Sequence, residues 1–250
     1  MNLFSLEGRI AAVTGADKGL GRKMAEALAE AGADIVTVGR ADAGETAAAI
    51  QGLGRKCVEL RGDLSRPETM EALAGEMLQA FGRLDILVNN AGVTPVHKAE
   101  DYPREDLDLV MDVNVKSLYL LTQYIGSDMI RRRRGRIINI CSVQSFKGGR
   151  NVSAYVASKH AVAGITRAFA NEWGAYGVTV NGIAPGFMET DNTALLRSQP
   201  GMVENIAAKV PLERWGCPED LMGPVVFLAS DAASYVNGHL LVVDGGYLND

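Results

Sequence analysis

Cysteine is scarce in this chain. Cys57, Cys141 and Cys217 are an odd number, widely spaced, with no CxxC pair. That excludes a disulfide framework and a structural zinc site, and it suits a reducing compartment. Basic charge is in deficit: 25 Lys and Arg face 30 Asp and Glu, for a net charge of −5. A dedicated nucleic-acid binder would show the opposite balance. No apolar run approaches the roughly 18 residues of a membrane span. The opening MNLFSLEGRI lacks the basic-then-apolar layout of a signal peptide. His97, His160 and His239 have no ligand spacing with one another or with cysteine, so no metal is expected. There is no Pro/Ser-rich linker, internal repeat or low-complexity tract. A chain of 250 residues can bury enough surface to need no staple. The expectation is one cytoplasmic domain over residues 1–250, with no nucleic-acid and no membrane partner.

What is present alternates between two textures. Short Val/Ile-rich runs fall at Arg9–Thr14, Asp34–Val38, Lys56–Leu60, Leu84–Val88, Arg136–Cys141, Val178–Ile183 and Leu240–Val243. Between them lie Ala/Leu/Glu-rich stretches with helical periodicity, such as Arg22–Ala31, Pro67–Phe81 and Val110–Ile130. Near-continuous apolar strands alternating with helices predict a seven-stranded parallel sheet covered on both faces, a doubly wound α/β fold. The segment at about 187–217 breaks the rhythm and reads as a flap over a ligand crevice. Arg131–Arg134 with Arg136 resembles a nucleic-acid patch, but cations at the end of a long helix are favoured by its dipole.

The first strand runs into Thr14-Gly15-Ala16-Asp17-Lys18-Gly19-Leu20-Gly21 and then a helix. Glycines there allow a tight turn and close approach of backbone to a pyrophosphate at the helix N-terminus. The spacing is G-x-x-x-G-x-G rather than G-x-G-x-x-G. The second strand ends Val38-Gly39-Arg40, without the acid that bonds the ribose hydroxyls of NAD. Lys18 and Arg40 together point to NADP(H), with NAD(H) as the alternative. Asp63-Leu64 and Asn89-Asn90-Ala91-Gly92 follow the third and fourth strands, at carboxyl ends where open α/β sheets bind ligands.

Ser142 closes the fifth strand, and Tyr155 and Lys159 follow four residues apart, on one helical face. An ammonium beside a phenol stabilises the phenolate, so such a tyrosine can exchange a proton with a carbonyl or alcohol oxygen. Ser142 would hydrogen-bond the same oxygen. Asn114 could hold a water that relays protons through Lys159.

These motifs in this order resemble the short-chain dehydrogenase/reductase family over essentially the whole chain. TGADKGLG, NNAG, Asn114, Ser142, Tyr155, Lys159 and Pro185-Gly186 carry the likeness. The resemblance implies a Rossmann fold, a nicotinamide cofactor, a Ser–Tyr–Lys site assisted by Asn114, and a homotetramer. It implies that Asp63 and Leu64 flank the adenine, that Asn90 and Gly92 line the cofactor, and that Ile183 and Thr190 sit at the carboxamide. In that tetramer helices such as Val110–Ile130 and Tyr155–Glu172 would pair, and the strand near Leu240–Tyr247 would meet its mate. Cys141 stands where the family usually has Ser or Ala. Within the family, DLMGPVVFLAS and YVNG resemble the branch that acts on gluconate-type sugar acids.

The reading is therefore hydride transfer between a nicotinamide cofactor and a secondary alcohol or ketone, of a sugar acid or polyol. Gln144, Arg150 and Trp215 are the candidate substrate residues, Trp215 as a cover for the sugar. The alternatives are a 3-oxoacyl thioester reductase, for which Arg131–Arg134 would be the docking face, and a non-catalytic cofactor sensor.

Overall fold

The computed structural model describes residues 2–249. Seven strands form one parallel sheet: β1 (Ile10–Thr14), β2 (Asp34–Gly39), β3 (Cys57–Arg61), β4 (Ile86–Asn89), β5 (Gly135–Ile140), β6 (Val178–Pro185) and β7 (Leu240–Val243). Their order is β3-β2-β1-β4-β5-β6-β7. The winding reverses between β1 and β4, and the loops leaving their carboxyl ends diverge there to open a crevice. All seven expected strands are present, each within two residues of its sequence bounds.

The helices are α1 (Gly19–Glu30), α2 (Gly44–Gly52), α3 (Met70–Gln79), α4 (Arg104–Met111), α5 (Leu118–Arg132), α6 (Ser153–Trp173), α7 (Asp191–Arg197), α8 (Met202–Ala207) and α9 (Met222–Ala229). Alternation along a strand sends neighbours to opposite faces. Ala11 and Val13 of β1 therefore join Met24, Leu28, Val225 and Leu228 under α1 and α9. Ala12 joins Leu73, Met77, Leu121, Ile125 and Trp173 under α3, α5 and α6. These two apolar layers hold the strand ends, and hence the crevice, in register.

Two elements differ from the sequence reading. The helix expected over Val110–Ile130 is interrupted by a π-helical turn, Asp112–Ser117, between α4 and α5. The basic run at the end of α5 is paired in part within the chain. Arg132 pairs with Asp128 at 2.7 Å and Asp85 at 3.2 Å, Arg131 pairs with Asp128, and Arg133 donates to the Ala175 carbonyl.

The segment after β6 leaves and returns at one point. Met188 and Gly216 form an isolated parallel bridge, with Gly216 N donating to Phe187 O at 2.9 Å and Glu189 N to Gly216 O at 2.8 Å. Between those pins stand α7 and α8, so the flap is a loop with a closed base.

Candidate active site

The glycine turn is built to let something approach. Gly15 and Gly19 adopt positive φ of 64° and 55°, a region costly for other residues. A Cβ on Gly21 would overlap the Gly15 carbonyl oxygen and come within 2.5 Å of Asn90 Nδ2. That amide donates to Thr14 O at 2.9 Å and Gly15 O at 3.0 Å. Thr14 Oγ1 in turn accepts from the main-chain N–H groups of Asn90 and Ala91, both at 3.0 Å. Thr46 Oγ1 ties the Ala16 carbonyl from behind at 2.8 Å. The turn and the NNAG segment are thus one hydrogen-bonded cradle at the head of α1, where N–H groups are unpaired. The cradle fits a dinucleotide. Leu20 begins α1 at its lip.

Around it stand the other expected cofactor residues. Asp63 accepts from Ser65 N at 3.0 Å and Ser65 Oγ at 2.7 Å. Those bonds, with the charge of Arg40 nearby, hold its carboxyl below the usual range. Leu64 is buried, its carbonyl accepting from Ser117 Oγ at 2.7 Å. A Cβ on Gly92 would touch Asn114 Oδ1 at 3.4 Å, and one on Gly19 would meet the Thr190 methyl at 3.9 Å. Ile183 and Pro185 are buried at the end of β6, and Gly186 lies against Asp244. Arg40 is exposed beyond β2. Lys18 is engaged: its ammonium pairs with Asp191 of the flap at 2.9 Å, with both side chains largely exposed. An acid does stand near the end of β2, but the glycine turn supplies it: a Cβ on Gly39 would lie 3.5 Å from Asp17 Oδ1.

Ser142 caps the single turn Val143–Ser145. Its Oγ accepts from Gln144 N at 3.1 Å, and its own N–H donates to Ser145 Oγ at 3.3 Å. Ser145 Oγ then donates to the main-chain carbonyl of Lys159 at 2.8 Å, which stitches the turn to α6. Lys159 is buried, its Nζ donating to Ile140 O at 2.6 Å and lying 5.5 Å from the centre of the Tyr155 ring. Tyr155 is half-buried on the same face of α6. The Asn114 side chain is fully employed: Oδ1 accepts from Val93 N at 2.9 Å, while Nδ2 donates to Val93 O at 3.0 Å and Ser158 Oγ at 3.1 Å. Cys141 is accommodated because β6 places Gly182 opposite it, where a Cβ would come 2.8 Å from the sulfur.

The expected substrate residues part company. Gln144 sits in the Ser142 turn with Oε1 buried and, among the described residues, without a hydrogen-bond partner. Arg150 is exposed. Trp215 is a correction to its role as a sugar cover. It is 4 % exposed, donates its indole N–H to Val203 O at 3.1 Å, and packs edge-on against Phe187 with ring centres 5.5 Å apart. Its polar handle and its faces are spent inside the flap. Arg214 is likewise committed, in a two-pronged pair with Asp220 at 2.7 and 2.8 Å. Ser145, Ser158 and the π-turn were missed by sequence reasoning. Ser145, three residues after Ser142, carries the spacing of a capping box and was legible on that ground.

A dinucleotide cradle at a sheet switch point, beside a buried lysine, a tyrosine and a serine, defines an α/β oxidoreductase that works with a nicotinamide cofactor. Comparison with known proteins makes the class specific. A family model described as enoyl-(acyl carrier protein) reductase matches residues 15–248. The chain is 48 % identical over 247 residues to 2-dehydro-3-deoxy-D-gluconate 5-dehydrogenase of Bacillus subtilis (strain 168), covering 98 % of this chain and 97 % of that one. A Beutenbergia cavernae structure with bound NADP at low occupancy, provisionally described as an NAD(P)-dependent gluconate 5-dehydrogenase, superposes with a TM-score of 0.97. It is 46 % identical, with both chains fully covered. A gluconate 5-dehydrogenase from Burkholderia cenocepacia, in complex with NADP and tartrate, superposes with a TM-score of 0.95. It is 35 % identical, covering 100 % of this chain and 98 % of that one. The chain belongs to the short-chain dehydrogenase/reductase family.

Among the described residues no three His, Cys, Asp or Glu side chains gather as a metal site, and no helix is long and apolar enough to cross a membrane.

Proposed function

We propose that this protein interconverts a secondary alcohol and a ketone on a gluconate-type sugar acid, with NADP(H) as its cofactor. The observation that carries the reading is the Lys159 ammonium, held between the Ile140 carbonyl and the Tyr155 ring beside Ser142. In the reducing direction Tyr155 gives its hydroxyl proton to the carbonyl oxygen, and Ser142 donates a hydrogen bond to the same oxygen. Lys159 stabilises the phenolate left behind, which solvent then reprotonates. When bound, the nicotinamide supplies the hydride to carbon, or takes it in the oxidising direction. Because the Asn114 side chain is occupied, its part in a proton relay runs through its main chain. A π-helical turn interrupts the ordinary i→i−4 pattern there and is common at functional sites.

The residues that would hold the cofactor are the Gly15–Gly21 turn with Asp17 and Leu20, then Asp63, Leu64, Asn90, Ala91 and Gly92. Ile183, Pro185, Gly186 and Thr190 complete the set. Lys18 and Arg40 favour the NADP phosphate, while Asp17 beside Gly39 keeps NAD(H) as the alternative. The flap covers the substrate, and Gln144, whose buried Oε1 has no partner among the described residues, faces it from the Ser142 turn; the exposed Arg150 plays no role.

A homotetramer is supported by apolar groups left on the pairing elements. Tyr119 of α5 is 41 % exposed over Phe169 of α6, and Val242 of β7 is 37 % exposed. Light scattering at four times the 26.6 kDa chain mass would establish it, and the chain mass alone would exclude it. A cytoplasmic enzyme is the matching location. The thioester alternative, which the family model's description raises, would dock on Arg131–Arg134, where Arg131, Arg132 and Arg133 already have partners within the chain.

Following nicotinamide absorbance with 2-dehydro-3-deoxy-D-gluconate, and with the matching ketose that lacks a carboxylate, tests the assignment. Preference for the acid supports it. Equal kcat/KM for the two compounds would move the assignment to a neutral polyol or another ketone.

A further inference from the structure

One cation near the site is not explained by the chemistry above. Lys147 lies in the connection between Ser142 and α6, is half-buried, and holds its Nζ 4.3 Å from the centre of the Tyr247 ring. Among the described residues no carboxylate lies within 4.0 Å of it. Lys18, Lys23 and Lys116, by contrast, each have an acidic partner. A partly desolvated ammonium with an aromatic face on one side and, among the described residues, no anion on the other is poised for an anion brought from outside.

The ring beneath it is firmly placed. Tyr247 packs edge-on against Phe187, with ring centres 5.2 Å apart at 89°. The tail carrying Tyr247 is folded back on Asp244, whose carboxylate accepts from Gly246 N and Leu248 N, both at 2.8 Å. Leu212 N of the flap donates to Gly245 O at 3.2 Å. Lys147, Phe187 and Tyr247 therefore come from the segments leaving β5, β6 and β7, three neighbouring strands, at the carboxyl ends where the crevice opens. Ser142 stands at the head of the first of those segments.

We propose that Lys147, seated on Tyr247, binds the carboxylate of the substrate, and that Tyr247 is its positioning residue. The inference rests on the sugar-acid reading above and names the cation within it. Arg150 has no comparable support: it is exposed, follows Gly148 and Gly149, and among the described residues has no aromatic or acidic group orienting it. An ammonium seated on a ring has already given up much of its rotamer freedom, so less is lost when the carboxylate arrives. Its three N–H donors can serve the carboxylate while the ring attracts the same charge from the other side.

The test is a grid of steady-state kinetics on 2-dehydro-3-deoxy-D-gluconate and its neutral primary amide. The proteins are wild type, Lys147→Met, Arg150→Ala, Tyr247→Leu and Tyr247→Phe. NADPH fluorescence and thermal midpoint check that each variant is folded and binds cofactor. Lys147→Met should raise KM for the acid by about 10- to 100-fold, the loss of one charge-assisted contact, and leave the amide nearly unchanged. Tyr247→Leu should shift the acid in the same direction by less, and Tyr247→Phe should restore it because the ring is kept. Arg150→Ala should resemble wild type. Equal effects of Lys147→Met on acid and amide, or a selective loss in Arg150→Ala, would overturn the assignment of Lys147 and leave the sugar-acid reading standing. A wild type that does not distinguish acid from amide would overturn both.

Discussion

The ammonium of Lys159 donates to the main-chain carbonyl of Ile140 at 2.6 Å, two residues before Ser142. The last residue of β5 therefore anchors the cation that serves α6. Replacing Lys159 with Met should remove the charge beside Tyr155 and leave that carbonyl without its partner. Turnover should fall by at least about 10²-fold, and stability by about 1–3 kcal/mol. Parallel kinetics and thermal denaturation check it; full turnover in a folded variant would remove Lys159 from the chemistry.

Gly21→Ala should close the dinucleotide cradle. The new methyl would meet the Gly15 carbonyl oxygen and the Asn90 amide, both fixed by hydrogen bonds. The glycine turn must then shift, at a cost of about 1–3 kcal/mol. A fluorescence titration should show weakened NADPH binding, with the fold retained in circular dichroism.

Cofactor choice should turn on Arg40. A charge-assisted bond to the adenosine phosphate contributes about 1.5–3 kcal/mol, or roughly tenfold to a hundredfold in affinity. Arg40→Asp should weaken NADPH by that factor and spare NADH. If wild type binds NADH more tightly than NADPH, Arg40 is only a loop residue, and Asp17 beside Gly39 sets the preference instead.

Asp220 should give the flap an acid-sensitive contribution. Its bonds to Arg214, and the N–H donated by Cys217, hold its carboxyl well below the usual carboxylate range. A depressed folded value means the stabilisation is present above the unfolded pKa of about 3.9 and is lost as pH falls through the folded one. Arg214 is half exposed, so solvent screens the pair and its contribution is small. Asp220→Asn should therefore melt slightly lower than wild type at neutral pH. The gap should narrow as the solution is acidified below pH 4, which a series of thermal melts would record. A gap independent of pH would assign the effect to packing.

Much of this was legible from local pattern. The Val/Ile runs located every strand, β7 to the residue; the central strands, buried on both faces, must be apolar nearly throughout. The glycine turn, Ser142 and the Tyr155–Lys159 pair were legible because they occur together and in order; each alone is a weak signal. What escaped was set by partners distant in sequence. The break at Asn114 accompanies its bonds to Val93 and Ser158, which leave no trace in the periodicity of residues 110–130. Trp215 reads as a cover for the sugar, yet Val203 and Phe187 bury it inside the flap. Lys18 reads as free until the flap brings Asp191 to it. Lys147 and Arg150 are equivalent cations on paper, and only Tyr247, from the opposite end of the chain, separates them.

The central claim is that Tyr155 exchanges a proton with substrate oxygen while hydride passes between nicotinamide and the carbon that bears it. Supplying NADPH deuterated at the transferring position, with a keto form of the sugar acid, tests this most directly. Mass and NMR analysis of the product should find deuterium on the new carbinol carbon in wild type. Tyr155→Phe should bind the cofactor normally and transfer label at least about 10²-fold more slowly. Wild type that binds cofactor and sugar acid yet transfers no label, or a Tyr155→Phe variant that transfers it at the wild-type rate, would contradict the account.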